Sequence, residues 1–108
     1  MKRGELYRVF AGSPTDPKKQ RVYVIVSRQE LIASAYSTLV CAPIYTNFEG
    51  LSTQVQVGVA EGLKHTSAIR CDELVSILKS RLSDYVGALS EEKLAELRYA
   101  LSIAVGIE

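Results

Sequence analysis

Apolar residues along the chain fall into short runs parted by turn-forming clusters, and the period of the pattern changes once, near the C-terminus. Leu6 to Phe10 reads as a first strand, and Ala11 to Lys19, with Gly12, Pro14 and Pro17, as a loop. Arg21 to Ser27 follows with Val22, Tyr23, Val24, Ile25 and Val26 in succession, the pattern of a central strand buried on both faces. A polar excursion from Arg28 to Tyr36, helical in part, leads to an apolar strand over Thr38 to Ile44, closed by the turn residues Tyr45 to Gly50. Gln54 to Val59 alternates strictly, which sends valines inward and glutamines outward. Gly62 opens a turn into Ser67–Glu73, read as a further strand. From Ser90 the spacing becomes helical: Ser90 caps, Glu91 and Glu92 occupy the first turn, and Leu94, Leu97, Leu101 and Ala104 form one stripe to be buried, on the chain's own barrel or else on a second subunit.

Short strands followed by one terminal helix predict a mainly β, α+β architecture: a small SH3-like antiparallel β-barrel with a C-terminal α-helix, one domain over residues 1–108. With 47% hydrophobic and 23% charged residues, the composition is that of an ordinary soluble globular chain. No apolar run approaches the ~20 residues of a membrane span, and no signal-peptide pattern precedes the first strand, so the expected location is the cytoplasm. The two cysteines, Cys41 and Cys71, each lie in an apolar run and read as buried thiols; with one histidine they make no zinc-ligand spacing, and no metal or cofactor is expected. A net charge of +1 hides an asymmetry. Up to Arg28 seven basic residues oppose only Glu5 and Asp16, a net +5, which leaves −4 for the remainder and suits one basic face along a phosphate backbone.

As a strand, Ser67–Glu73 would point Arg70 and Asp72 to one face while Ile69 and Cys71 turn into a core. Alone, such a pair is most simply a salt bridge on a barrel edge. Three stretches change that: Ser67-Ala68-Ile69-Arg70-Cys71-Asp72-Glu73, the opening Lys2-Arg3-Gly4-Glu5-Leu6-Tyr7, and the ending Leu89-Ser90-Glu91-Glu92. With them the chain resembles the PemK/Kid/MazF family of bacterial toxins from Lys2 to about Ile103, with a shorter first loop. The resemblance implies the toxin of a type II toxin–antitoxin pair: a sequence-selective endoribonuclease that cuts single-stranded RNA without a metal, leaving a 2′,3′-cyclic phosphate and a 5′-hydroxyl. It also implies a two-fold homodimer with an RNA groove along the interface, which the extended tail of a cognate antitoxin occupies, and no membrane partner. A member that binds antitoxin or RNA without cutting is the alternative.

Residue for residue, the resemblance carries the cleaving arginine and aspartate onto Arg70 and Asp72, and the arginine that begins the second strand onto Arg21, where Val22 replaces a proline. Metal-free cleavage needs a base for the 2′-hydroxyl, a donor for the departing 5′-oxygen and positive charge on the phosphate. Asp72 fits the base. Arg70 and Arg21 fit charge stabilisation, since a group with a pKa above ~12 is a poor proton donor, and the acid stays open. Glu73 stands where Kid-type members have glutamine, and strand alternation turns it away from Asp72. The family's functional threonine follows Ala-Pro-Ile directly, whereas here Ala42-Pro43-Ile44 is followed by Tyr45 and then Thr46. That one-residue slip turns Thr46 away unless a bulge re-aims it, and leaves Tyr45 to offer its hydroxyl or to stack on a base. Lys18, Lys19, Phe48 and His65 complete the expected substrate contacts; no histidine lies between Gly12 and Gln20, and His65 reads as a solvated turn residue with general acid as its other role.

Overall fold

A computed structural model describes residues 1–10 and 20–107, so the loop at 11–19, with Lys18 and Lys19, lies outside the described residues. Seven strands and two helices follow one another: β1 (Glu5–Phe10), β2 (Gln20–Ile25), α1 (Gln29–Ile32), β3 (Thr38–Tyr45), β4 (Gln54–Val57), β5 (Ser67–Arg70), β6 (Val75–Leu78), β7 (Asp84–Ala88) and α2 (Glu91–Ala104). Among the described residues all the pairings are antiparallel and run in the order β4-β5-β3-β2-β1-β7, with β6 also on β3; the expected mainly β, barrel-like architecture with a C-terminal helix takes the form of a curled half-barrel sheet.

Both faces of the sheet are buried, and the period-2 rule sorts the side chains between them. Leu6, Val24, Val26, Ala42, Ile44, Val55, Ile69 and Cys71 face a first core, where Leu97 and Ala100 of α2 close over them. Tyr7, Val9, Ile25, Leu39 and Cys41 face the second, smaller core, covered by Ile32 of α1 and by Leu82. The central position expected of β2 is therefore correct, with alternate residues serving different cores. Valines 55 and 57 point inward as the alternation requires, but β4 ends there: Val59 begins a short 3-10 turn and is 78% exposed. The helix also matches its pattern, with the Ser90 hydroxyl accepting from Lys93 N at 3.1 Å, Leu97 fully buried, and Leu94, Leu101 and Ala104 half-buried against the first core. Strands β6 and β7 have no counterpart in the sequence pattern. Each is short, and the exposure of Val75, Leu78 and Tyr85 breaks the alternation that would reveal a strand.

Cys41 and Cys71 are free buried thiols in opposite cores, so the sheet itself stands between them. Burial pushes Cys41 up to about 12, and burial together with the Asp72 charge pushes Cys71 up to about 11, from an ordinary 9.0. Because the folded state holds the protonated thiols, their contribution is complete below pH about 9 and is lost as pH rises toward 11 and 12. Urea midpoints measured from pH 7 to 11 should fall steeply above 9. In Cys41→Ala the fall should be shallower, whatever the variant's stability at pH 7, and an equally steep fall would contradict the assignment.

Candidate functional site

Two interruptions of the sheet build the site. The first is a register break on β3. Ile44 pairs with Ile69 of β5, whereas Cys41, three residues back, pairs with Val75 of β6, six residues on. Three residues are thus looped out, and they are the 3-10 turn Cys71–Glu73. The turn keeps Cys71 in the first core and lifts Asp72 and Glu73 into solvent. The strand expected to run through Asp72 therefore stops at Arg70, and the predicted common face for Arg70 and Asp72 does not follow from a pleat.

The second interruption is Pro43. The β2–β3 ladder runs from Ile25↔Cys41 to Tyr23↔Pro43 and ends, since proline has no N–H to continue it. Beyond it, Arg21 comes level with Tyr45, and the Arg21 guanidinium donates from Nη1 to the Ile44 carbonyl at 3.3 Å, a side chain standing in for a ladder donor. Where the strands part there is a hollow of about 380 Å³, the scale of a small-ligand site, whose lining includes Arg8, Arg21, Tyr45, Thr46, Lys64 and His65. Lys64 and His65 ride on the turn before β5. Gly62 starts that turn at φ +94° with its backbone against the Val86 carbonyl, and the buried Ser67 hydroxyl donates to the His65 carbonyl at 2.9 Å. No described residue lining the hollow is a carboxylate.

Alternation puts Arg21, Tyr45 and Arg70 on the face of the second core, past the point where its apolar side chains end. The guanidinium carbons of Arg21 and Arg70 each lie 3.9 Å from the Tyr45 ring centroid. They are thus no more than twice that, 7.8 Å, apart. At an effective dielectric near 20, two unit charges at that spacing repel by about 2 kcal/mol, so something must hold them together. The ring supplies part, about 0.5–1 kcal/mol for each exposed cation. Carboxylates supply more: Arg70 pairs with Glu73 Oε2 at 3.2 Å and Glu49 Oε1 at 3.5 Å, while the Tyr45 hydroxyl donates to Glu73 Oε1 at 3.1 Å. Arg70 Nε is buried and has no hydrogen-bond partner among the described residues. Asp72 Oδ2 instead accepts from the Thr53 hydroxyl at 2.6 Å.

The sequence-derived residues are therefore distributed as follows. Arg21, Tyr45, Thr46 and His65 meet at the hollow, and Arg70 joins through the Tyr45 ring. Thr46 reaches the hollow without a bulge, because β3 ends at Tyr45 and the alternation ends with it. Tyr45 is engaged by two guanidiniums, which takes its ring away from base stacking. Glu73, though exposed, turns toward Arg70 and Tyr45, contrary to the strand-based expectation, because it sits on a turn. Phe48 is exposed and does not line the hollow. Sequence reasoning missed Arg8, Glu49, Thr53 and Lys64; none carries a periodic signal, though Lys64 adjoins His65 and Arg8 belongs to the basic first quarter.

A family model described as "PemK-like, MazF-like toxin of type II toxin-antitoxin system" matches residues 2–105. Two curated relatives named "Endoribonuclease MazF3", from the CDC 1551 / Oshkosh and H37Rv strains of Mycobacterium tuberculosis, are 31% identical over 83 residues, 77% of this chain and 77% of theirs. Among solved structures, the Mycobacterium tuberculosis toxin MazF-mt6 superposes with a TM-score of 0.82 at 24% identity, covering 96% of this chain and 98% of that one. A mycobacterial endoribonuclease in complex with its cognate antitoxin gives 0.83 at 24%, covering 98% and 95%. A MazE–MazF structure from Deinococcus radiodurans gives 0.74 at 16%, covering 100% and 97%; at these identities the superpositions speak to the fold.

Proposed function

The chain belongs to the PemK-like, MazF-like toxins of type II toxin–antitoxin systems, and from that membership we propose that it cuts single-stranded RNA, without a metal, at the hollow where β2 and β3 part. The observation that carries the proposal is the convergence of Arg21 and Arg70 on one ring at the rim of a carboxylate-free hollow, which gives a phosphate two guanidiniums within 7.8 Å of each other. Unstacked bases of a single strand can enter such a cleft one at a time, with Lys64 and the Thr46 hydroxyl as further contacts.

In this scheme the hollow's lining supplies no carboxylate, and Asp72, on the turn that follows Arg70, takes the 2′-hydroxyl proton. It is held by Thr53 and has no ion pair among the described residues, whereas both carboxylate oxygens of Glu73 are engaged by Arg70 and Tyr45. The 2′-oxygen then forms its bond to phosphorus, Arg21 and Arg70 hold the added negative charge, and the phosphorus–5′-oxygen bond breaks. The leaving oxygen takes a proton from His65, the imidazole that lines the hollow. The products are a 2′,3′-cyclic phosphate and a 5′-hydroxyl. A second copy of the chain and a cognate antitoxin are the proposed partners, and the cytoplasm the proposed location; among the described residues no helix is long and apolar enough to cross a membrane.

Incubation of the purified protein with a long defined RNA in EDTA, followed by mapping of the 5′ ends, tests this. Discrete 5′-hydroxyl ends are expected, and Asp72→Asn should slow their appearance by ~10²–10⁴ while keeping an acceptor for Thr53. Intact RNA, or ends bearing a 5′-phosphate, would refute the scheme. Intact RNA with tight binding would point instead to a non-cutting member.

A further inference from the structure

Glu73 is the only described residue that contacts both Tyr45 and Arg70 through its carboxylate, one oxygen for each. Tyr45 in turn touches both arginines. The Tyr45 ring, the Tyr45 hydroxyl, Glu73, Arg70 and the ring again make a closed loop of contacts, and Arg21 joins it at the ring. Glu49 adds a second carboxylate to Arg70 but touches neither Tyr45 nor Arg21 in the described structure.

We infer that Tyr45 and Glu73 act as one positioning unit that holds Arg21 and Arg70 together, so that both can meet a single RNA phosphate. Neither residue contacts the reacting atoms. The ring's electron-rich face attracts both cations, the hydroxyl–carboxylate bond orients the ring, and the second carboxylate oxygen orients Arg70. Arriving phosphate exchanges for a carboxylate on Arg70 while the ring keeps the spacing. A bare pair of arginines would part by mutual repulsion, and the phosphate would meet one at a time. The inference rests on the proposed nuclease activity for one of its readouts only.

A double-mutant cycle tests it. In single-turnover cleavage of a defined RNA in EDTA, Tyr45→Phe and Glu73→Ala should each slow the chemical step about tenfold, and the double variant should be no slower than either, because each breaks the same link. Glu73→Gln, which keeps an acceptor oxygen, should lie between Glu73→Ala and wild type. Tyr45→Ala, which removes the ring, should also lower the slope of log affinity against log salt by about 0.7, the value of one phosphate contact on a single strand. Circular dichroism and thermal midpoints measured in parallel separate these effects from loss of fold. Additive effects approaching a hundredfold in the double variant, or tighter RNA binding and faster cleavage in Glu73→Ala, would overturn the positioning role. If the wild type cuts no RNA, the nuclease proposal fails, and the salt slopes of the same proteins still decide whether Tyr45 and Glu73 hold the arginines for a phosphate.

Discussion

Arg70→Ala is expected to lower the rate of RNA cleavage about a thousandfold, roughly 4 kcal/mol of barrier, with a smaller change in the RNA concentration at half-maximal rate. The size follows from where Arg70 stands. Its side chain is 24% exposed, its Nε is buried without a partner among the described residues, and its remaining nitrogens are pointed by Glu49, Glu73 and Tyr45. A donor fixed in that way loses no orientation when charge builds up on a phosphate, which is the condition under which one donor is worth ~10²–10³ in rate. Arg70→Lys should recover little of the loss. An ammonium is a point donor on a flexible stem and cannot span a phosphate and a carboxylate as the planar fork does. The substitution should leave the fold intact, because Arg70 ends β5 and its neighbours Ile69 and Cys71 carry the packing there. Single-turnover rates of purified Arg70→Ala and Arg70→Lys, with circular dichroism of each, provide the check; full activity in either variant would remove Arg70 from the site.

Leu97→Ala is the substitution expected to cost the most stability, about 2–5 kcal/mol out of the 5–15 kcal/mol typical of a single domain. Leu97 is fully buried where α2 meets Leu6, Val24, Val55 and Ile69. Alanine is the better helix former, so α2 itself is not weakened and the loss comes from the transfer of apolar atoms and the cavity left behind. For a domain near 100 residues each kcal/mol lowers the thermal midpoint by ~4–8 °C, so a drop of well over 8 °C is predicted by calorimetry. The exposed Tyr99, two residues on and on the opposite face of α2, serves as the control: Tyr99→Ala should move the midpoint by only a few degrees. Equal effects at the two positions would mean that α2 does not pack on the sheet as described.

The parts of the molecule visible in the residue pattern are those whose burial repeats. In β2, Val22 and Val24 serve one core and Tyr23 and Ile25 the other, and that division follows from their unbroken apolar succession. In α2, Leu94, Leu97 and Leu101 mark the buried stripe without reference to what they cover. Arg21, Thr46, Arg70 and Asp72 came forward as site candidates through the family resemblance of the stretches that hold them, not through any period in the pattern. β6 and β7 could not be named, since four or five residues with half their apolar side chains in solvent show no period.

What escaped was the set of partners each site residue would find. Glu49 reaches Arg70 from 21 positions away along the chain, and Thr53 reaches Asp72 from 19, contacts that depend on how β4 returns beside β5 and on nothing adjacent in the chain. Whether Asp72 or Glu73 turns toward Arg70 depended on three looped-out residues, and a looped-out turn obeys no alternation, so the strand rule set Asp72 beside Arg70 where Glu73 makes the contact. Local patterns record which side chains must leave water, because that demand acts residue by residue. The spacing of charges across a site is set by strands brought together from distant parts of the chain, and it became defined only when the sheet closed.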